Sequence, residues 1–368
     1  MNAPVYLDYN ASVPIRPEAR AAAVAALELG GNPSSVHGFG RAARRVLEDA
    51  RERVAAAIGA PAQDVVFTSG ATEANNLALV GVVHGRVLVS AIEHDSLRSV
   101  LPAIETVPVT PAGTVDLDAL AAMLAANATP ALVSIMLANN ETGVLQPVAE
   151  AAELAHRHDA LLHCDAVQAV GRIPVDVDEL GADLLSLSAH KLGGPAGVGA
   201  LYIRDGVELQ PALTGGGQER GRRAGTENLA GVAGFGAAAE IACGDLGDMV
   251  RVAALRDDLE AGLRAARPDA LFFGANAPRL ANTCCVALPG VPAENQVMAL
   301  DLAGIAVSAG SACSSGKLRP SAVLRAMGVP PDIAASAIRV SLGWRSAAAD
   351  IDRFVAAWRG LSARVMAA

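Results

Sequence analysis

SLSAHKLGGPAG, residues 186–197, holds one of only two lysines in a chain of 368 residues. The other is Lys317, and Lys and Arg together number 29. A sequence that meets its general need for positive charge with arginine keeps a lysine for work that a guanidinium cannot do. An ammonium can be driven neutral by burial and neighbouring charge and can then attack a carbonyl, whereas a guanidinium stays charged. Lys191 follows a short β-type run, 184–188, and so falls just past a strand's carboxyl end. Open α/β sheets bind their ligands at that edge.

Outward from this segment, β-type runs at 65–68, 86–90, 131–137, 161–164, 184–188 and 199–203 alternate with helical patterns at 71–84, 116–126 and 148–158. The runs are apolar on both faces, as buried parallel strands are. The pattern predicts an α/β domain with helices on both faces of a mostly parallel sheet. After about residue 245 the texture changes. A helix at 249–265, strands at 271–273 and 283–288, helices at 293–302 and 321–327, a strand at 337–341 and a last helix at 347–361 suggest a smaller α+β domain. The expected division is a large domain over 16–247 and a small one built from 1–15 and 248–368.

Composition narrows the class. Hydrophobic residues make up 52% and the mean hydropathy is +0.34, yet much of the apolar count is alanine. The nearest candidate for a membrane span, 229–239, is ended by Glu240. MNAPVYLDYN lacks the basic start and apolar stretch of a signal peptide, so a cytoplasmic protein is expected. The net charge is −9 and no basic block stands out, which argues against a nucleic-acid interface. Five cysteines without paired CxxC spacing read as reduced thiols rather than a disulfide frame or a zinc site.

Four further segments place polar groups after strand ends. In TSGATEANNL (68–77), Gly70, Ala71 and Thr72 could cradle a phosphate or simply open a helix. In SAIEHDS (90–96), His94 could be a base, a ring for stacking, or a loop histidine. LANNETG (137–143) offers Asn140, and LLHCDAVQAVG (161–171) offers Asp165 and Gln168. Asp165 could pair with a protonated ring nitrogen or cap a helix. With Ser188, His190 and Lys191, these groups gather at one sheet edge. A lysine for a Schiff base, an acid for a pyridinium and hydroxyls for a phosphate are what pyridoxal 5′-phosphate requires.

At this point the sequence resembles the cysteine desulfurases, pyridoxal-phosphate enzymes of the class V aminotransferase group with the fold-type I architecture. The resemblance runs from YLDYNAS (6–12) and GNPSSVHGFGR (31–41) through the segments above. It continues in SAHKLGGPAGVGALY (188–202), GGGQERGRRAGTEN (215–228), SAGSACSSGKLRPSAVLRAMG (308–328) and AIRVSLG (337–343). It implies that Lys191 holds the cofactor and moves protons, that His94 stacks on its ring, and that Asp165 and Gln168 meet the ring nitrogen and phenolic oxygen. Ala71, Thr72, Ser188 and His190 would bind the phosphate. Thr226 would reach the phosphate of a neighbouring subunit, which makes a homodimer. Asn140 and Arg339 would hold the substrate carboxylate, a task that suits arginine's planar fork.

Cys313 lies in SAGSACSSGK (308–317), where small residues give little packing and much freedom, a poor setting for a structural cysteine. By the resemblance it is the nucleophile that takes sulfur from L-cysteine, leaves L-alanine, and hands a persulfide to an acceptor such as an iron–sulfur scaffold protein. Cys164, Cys284 and Cys285 read as packing. Ala196, Ala309 and Arg319 depart from the family's usual lysine, serine and acid, and Arg319 bears on partner docking. A selenocysteine lyase, a transaminase and a non-catalytic sulfur carrier are the alternatives. The mobile-type thiol opposes the transaminase, and the set Lys191, Asp165 and His94 opposes the carrier.

Overall fold

The computed structural model describes residues 4–82, 85–309 and 321–366, with side chains through residue 360. The chain opens with β1 (Val5–Tyr6), α1 (Pro17–Leu29) and α2 (Gly38–Ala56). An α/β series follows: β2 (Val65–Thr68), α3 (Ala71–Gly81), β3 (Arg86–Ser90), α4 (Asp95–Arg98), β4 (Glu105–Val107), α5 (Leu117–Ala125), β5 (Ala131–Met136), α6 (Val148–His156), β6 (Leu161–Asp165), β7 (Leu184–Ser188) and β8 (Gly199–Ile203). Two long helices, α7 (Leu229–Gly244) and α8 (Met249–Ala266), lead onward. The last part comprises β9 (Leu271–Phe273), β10 (Thr283–Ala287), α9 (Ala293–Leu302), β11 (Ile305–Ala306), β12 (Ser308–Ala309), α10 (Ala322–Ala326), α11 (Pro331–Ala334), β13 (Ala337–Ser341) and α12 (Ala348–Met366).

The main sheet has seven strands in the order β2-β8-β7-β6-β5-β3-β4. β4, β3, β5, β6 and β7 are parallel, and β8 runs antiparallel between β7 and β2. The predicted mostly parallel α/β sheet is what forms. Successive residues of each strand feed opposite cores, as period-2 geometry demands. Val65, Leu185 and Tyr202 join one apolar cluster with α1, α2 and α7. Val66, Leu184 and Leu201 join another, with α3, on the opposite face. Both faces are covered, which is why the strands read as continuous apolar runs.

A few elements differ from the sequence expectation. β6 extends through Asp165, because its pairing with β5 carries on to Met136. α6 stops at His156 rather than 158, since Asp159 takes a left-handed φ of 52° that ends the helical turn. α3 ends at Gly81, with Val82 already extended as its C-cap. β1, α1, α2 and β4 were not marked in the sequence. Among the described residues no single helix is long and apolar enough to cross a membrane. α7, the nearest candidate by composition, is a core helix with most of its residues buried.

The remaining strands build a four-stranded antiparallel sheet, β12-β13-β10-β9. β1 pairs with β11 far along the chain, Val5 beside Ile305. Val5 and Leu7 share one apolar cluster with Leu259, Val286, Phe354 and Trp358. The chain therefore begins beside its C-terminal part, crosses to the main sheet, and returns.

Candidate active site

Because β2, β3, β5, β6 and β7 run the same way, the segments after them meet at one edge. There they surround a cavity of about 440 Å³, which Asn10, Ala11 and Arg339 also line. Ala71, Thr72, His94, Asn140, Asp165, Gln168, Ser188, His190, Lys191 and Arg339 all line it. Ten residues drawn from five separate segments and β13 are thus brought to one space.

Lys191 closes a short 3₁₀ turn, Ala189–Lys191, directly after β7. Its Nζ donates to the carbonyls of Asn10 at 2.6 Å and Ala11 at 2.9 Å. Burial, then the positive charges of Arg339 and Arg172, push the amine down to about 7, while Asp8 and Asp165 pull the other way. A lysine so placed is neutral in a large fraction of molecules near pH 7, the state that attacks carbonyls. Its neighbour His190 is pushed down to about 4 by burial and by Lys191, so it is a neutral imidazole at pH 7.

Asp165 ends β6 with both oxygens engaged. Oδ1 accepts from the Val167 amide at 3.0 Å and Oδ2 from Asn75 Nδ2 at 2.8 Å. Asn75 comes from α3 and also donates to Ser96 Oγ at 2.8 Å, while its buried Oδ1 has no partner among the described residues. His94 caps α4 through Nδ1, which accepts from the Ser96 amide at 3.1 Å and meets Ser96 Oγ at 2.9 Å. The cap fixes the ring's orientation and leaves the rest of the imidazole exposed at the cavity. Glu93, one residue earlier, turns inward and accepts from the Met136 amide at 2.5 Å. Burial and the nearby Asp165 raise its carboxyl well above the usual range.

The start of α3 could hold an anion. α3 starts at Gly70, whose φ of 151° and ψ of 175° suit glycine, and no side chain caps the helix. The free amides of the first turn and the positive end of the helix dipole therefore face the cavity. Gly199 on β8 backs this turn so closely that a Cβ there would lie 2.8 Å from Gly70 Cα and 2.6 Å from the Leu187 carbonyl. Ser188 and His190 line the same cavity.

Arg339, on β13, is 1% exposed. One terminal nitrogen pairs with Asp8 Oδ1 at 2.7 Å, the other donates to the Asn140 carbonyl at 3.1 Å, and Nε has no partner among the described residues. Gln168 donates through Nε2 to the Asn10 carbonyl at 3.0 Å. Thr226 is exposed and does not line the cavity of its own chain. Cys313, Lys317 and Arg319 lie outside the described residues. Cys164 is fully buried, and Cys284 and Cys285 point into opposite apolar clusters as packing residues.

The donor set fits pyridoxal phosphate: a depressed amine, a carboxylate held against a buried amide whose Oδ1 is unpartnered, and an uncapped helix start for a phosphate. Sequence patterns missed Asn75, Ser96, Arg172, Asp8 and the carbonyls of Asn10 and Ala11. Asn75 had a signal, lying one helical turn after Thr72 in the same motif. The two carbonyls had none, since any residue type supplies one.

Comparison with known proteins agrees with this geometry. The profile of the class-V aminotransferases matches residues 5–354. A cysteine desulfurase of Cereibacter sphaeroides is 47% identical over 366 residues, covering 95% of this chain and 94% of that one. The cysteine desulfurase IscS of Dictyoglomus turgidum is 43% identical, covering 96% and 93%. The X-ray structure of a NifS-like protein from Rickettsia africae superposes with a TM-score of 0.92 at 36% identity, over 97% of this chain and 99% of that one. A mostly parallel sheet with a lysine, an acid and an uncapped helix start at one edge thus meets a match along nearly its whole length, and the chain belongs to the cysteine desulfurases of the class-V aminotransferase family.

Proposed function

We propose that the chain is a pyridoxal-phosphate-dependent cysteine desulfurase that converts L-cysteine to L-alanine and passes the sulfur on from Cys313. The observation that carries this is Lys191, a buried amine pushed down to about 7 in a cavity shared with an acid and an uncapped helix start. Lys191 would hold the cofactor, Asp165 and Gln168 its ring, His94 its face, and Ala71, Thr72, Ser188 and His190 its phosphate. Bound there, the cofactor supplies an electron sink for negative charge at the α-carbon of an amino acid.

The chain's own groups supply the rest. Lys191 Nζ, near neutrality, accepts the α-proton and returns protons later. Arg339 and Asn140 hold the substrate carboxylate, with Asp8 keeping the Arg339 fork aligned through its 2.7 Å contact. The Cys313 thiolate attacks the substrate sulfur. A sulfur–sulfur bond forms as the carbon–sulfur bond breaks, the carbon keeps the electron pair and takes a proton, and alanine leaves. The persulfide then goes to an acceptor, for which an iron–sulfur scaffold protein is the proposed partner. Residues 16–247 would form the cofactor-binding unit, with 1–15 and 248–368 carrying Arg339 and Cys313. Thr226, exposed and outside its own cavity, is proposed to serve a second copy in a homodimer.

The test is product formation from L-cysteine and a reductant. The parent is expected to make alanine and sulfide in equal amounts. Cys313→Ser should keep the bound cofactor's absorbance and lose turnover, and Lys191→Ala should lose both. A yellow, cofactor-loaded parent that makes neither product sinks the proposal.

A further inference from the structure

Behind Lys191 lies a second, small cavity of about 30 Å³ whose wall includes Tyr9, Arg172, Lys191 and Trp344. Arg172 is 7% exposed and does not reach the main cavity. Its hydrogen bonds go to oxygens without formal charge: the Gln168 carbonyl at 2.6 Å, Gln168 Oε1 at 2.5 Å and the Tyr9 carbonyl at 3.4 Å. Burial and the like charge of Arg339 push even this guanidinium down to about 10. A charge buried among neutral acceptors is costly, and an apolar side chain would fill the space more cheaply.

The contacts show what that charge does. Gln168 and Arg172 stand four residues apart on helical turns, where the Val170 amide reaches Ala166 and the Ile173 amide reaches Ala169. Their side chains therefore meet. A guanidinium can only donate, so the Gln168 atom facing it must be the oxygen. The Gln168 NH₂ then faces the Asn10 carbonyl, the same oxygen that accepts from Lys191 Nζ. One chain of contacts runs Arg172–Gln168–Asn10–Lys191.

We propose that Arg172 is a positioning residue: it locks the Gln168 amide with its NH₂ side toward the cavity, and it stands as a fixed cation behind Lys191. This goes deeper into the same site and rests on the assignment of Lys191 as its reactive amine. The charged groups that face Lys191 are Arg339 on β13, Arg172 after β6, Asp8 after β1 and Asp165 on β6, with neutral His190 adjacent. Arg172 contributes to the downward push on the amine after burial and Arg339.

The scarcity of lysine makes the test direct. With ¹³Cε-lysine labelling, the full chain gives two side-chain signals, and Lys317→Arg leaves the Lys191 signal alone. In that background, stripped of cofactor, the Lys191 signal is titrated by NMR. Arg172→Met and Arg172→Gln are expected to raise its midpoint by about one pH unit, whereas Arg172→Lys, which keeps a cation and whose added signal is told apart by a matching Lys191→Ala variant, should leave the Lys191 midpoint within a few tenths. An unmoved midpoint in folded neutral variants overturns the proposal. Arg172→Lys also tests the lock, because an ammonium on a flexible stem lacks the planar fork in which Nη1 holds both Gln168 oxygens while Nη2 reaches the Tyr9 carbonyl. Its cofactor dissociation constant should rise several-fold, with a shifted absorbance maximum of the bound cofactor. Parent-like affinity and spectrum overturn the proposal, and this arm decides it if the neutral variants do not fold. The titration involves no turnover, so its failure is separate from failure of the desulfurase activity.

Discussion

One proton decides whether Lys191 can act, and the same sheet holds another buried base with a different task. His163 is fully buried in β6, with Ser134 Oγ at 2.9 Å from Nδ1 and Ser186 Oγ at 2.9 Å from Nε2. Burial lowers it to about 3. The unfolded chain takes up this proton near pH 6.5, while the folded chain does so only near 3. Stability from the neutral ring is therefore full above about 6.5 and falls as pH drops toward 3, by at most about 1.4 kcal/mol per pH unit. Glu141, raised to about 7 by burial, acts with the opposite sign between its unfolded value and 7. Comparison with His163→Gln isolates the histidine: urea midpoints of parent minus variant should shrink from pH 7 to pH 5. A constant difference would contradict the assignment. At this scale the sequence showed Lys191 through its rarity and Asp165 and His94 through their place after strands. It could not show Arg172, which looks like one more arginine among many, or backbone carbonyls that any residue provides.

At the scale of elements, the parallel sheet was legible because burial on both faces writes itself as unbroken apolar runs. α2 was not, because its inward stripe of Ala43, Leu47, Ala50 and Val54 is mostly small and lies among arginines and acids. That helix nevertheless anchors the glycine-rich segment before Thr226. Arg51 forks onto Glu219 at 2.7 and 2.9 Å, reaches the Val65 carbonyl, and lies 4.8 Å from the Phe67 ring centroid. Glu219 also accepts from the Phe67 amide at 2.8 Å. Glu219 and Arg220 adopt left-handed φ values of 48° and 57°, a conformation costly for residues other than glycine and held here by the buried pair. Arg51→Met leaves the Glu219 carboxylate buried with too few donors. Chemical denaturation should show a loss of about 3–5 kcal/mol. A loss under about 1 kcal/mol would mean that the pair does not hold the segment.

At the scale of the whole molecule, the segment pinned by Glu219 carries Thr226 away from its own cavity, and Val36 and Phe39 are 88% and 70% exposed. A second copy would account for both. A mixture of Lys191→Ala and Thr226→Ala proteins should then regain tight cofactor binding. One site of each mixed pair would combine an intact Lys191 with the partner's intact threonine. Retained weak binding in the mixture would place Thr226 in service to its own chain.

The segment from Val5 to Ala11 also sets an order of assembly. Asn10 donates from its amide to Ser341 Oγ across 331 residues of chain and from its side chain to Thr283 Oγ1. Asp8 waits for Arg339 over a similar separation. During synthesis Asp8 and Asn10 leave the ribosome long before Thr283, Arg339 and Ser341, and contacts so distant in sequence close late. A nascent chain can lay down all seven strands of its main sheet while the carbonyl clamp on Lys191 is still untethered. Chemistry capable of liberating sulfur is therefore withheld until β13 has been made, and a chain that stopped short of it would carry Lys191 beside a clamp without its Arg339 and Ser341 tethers.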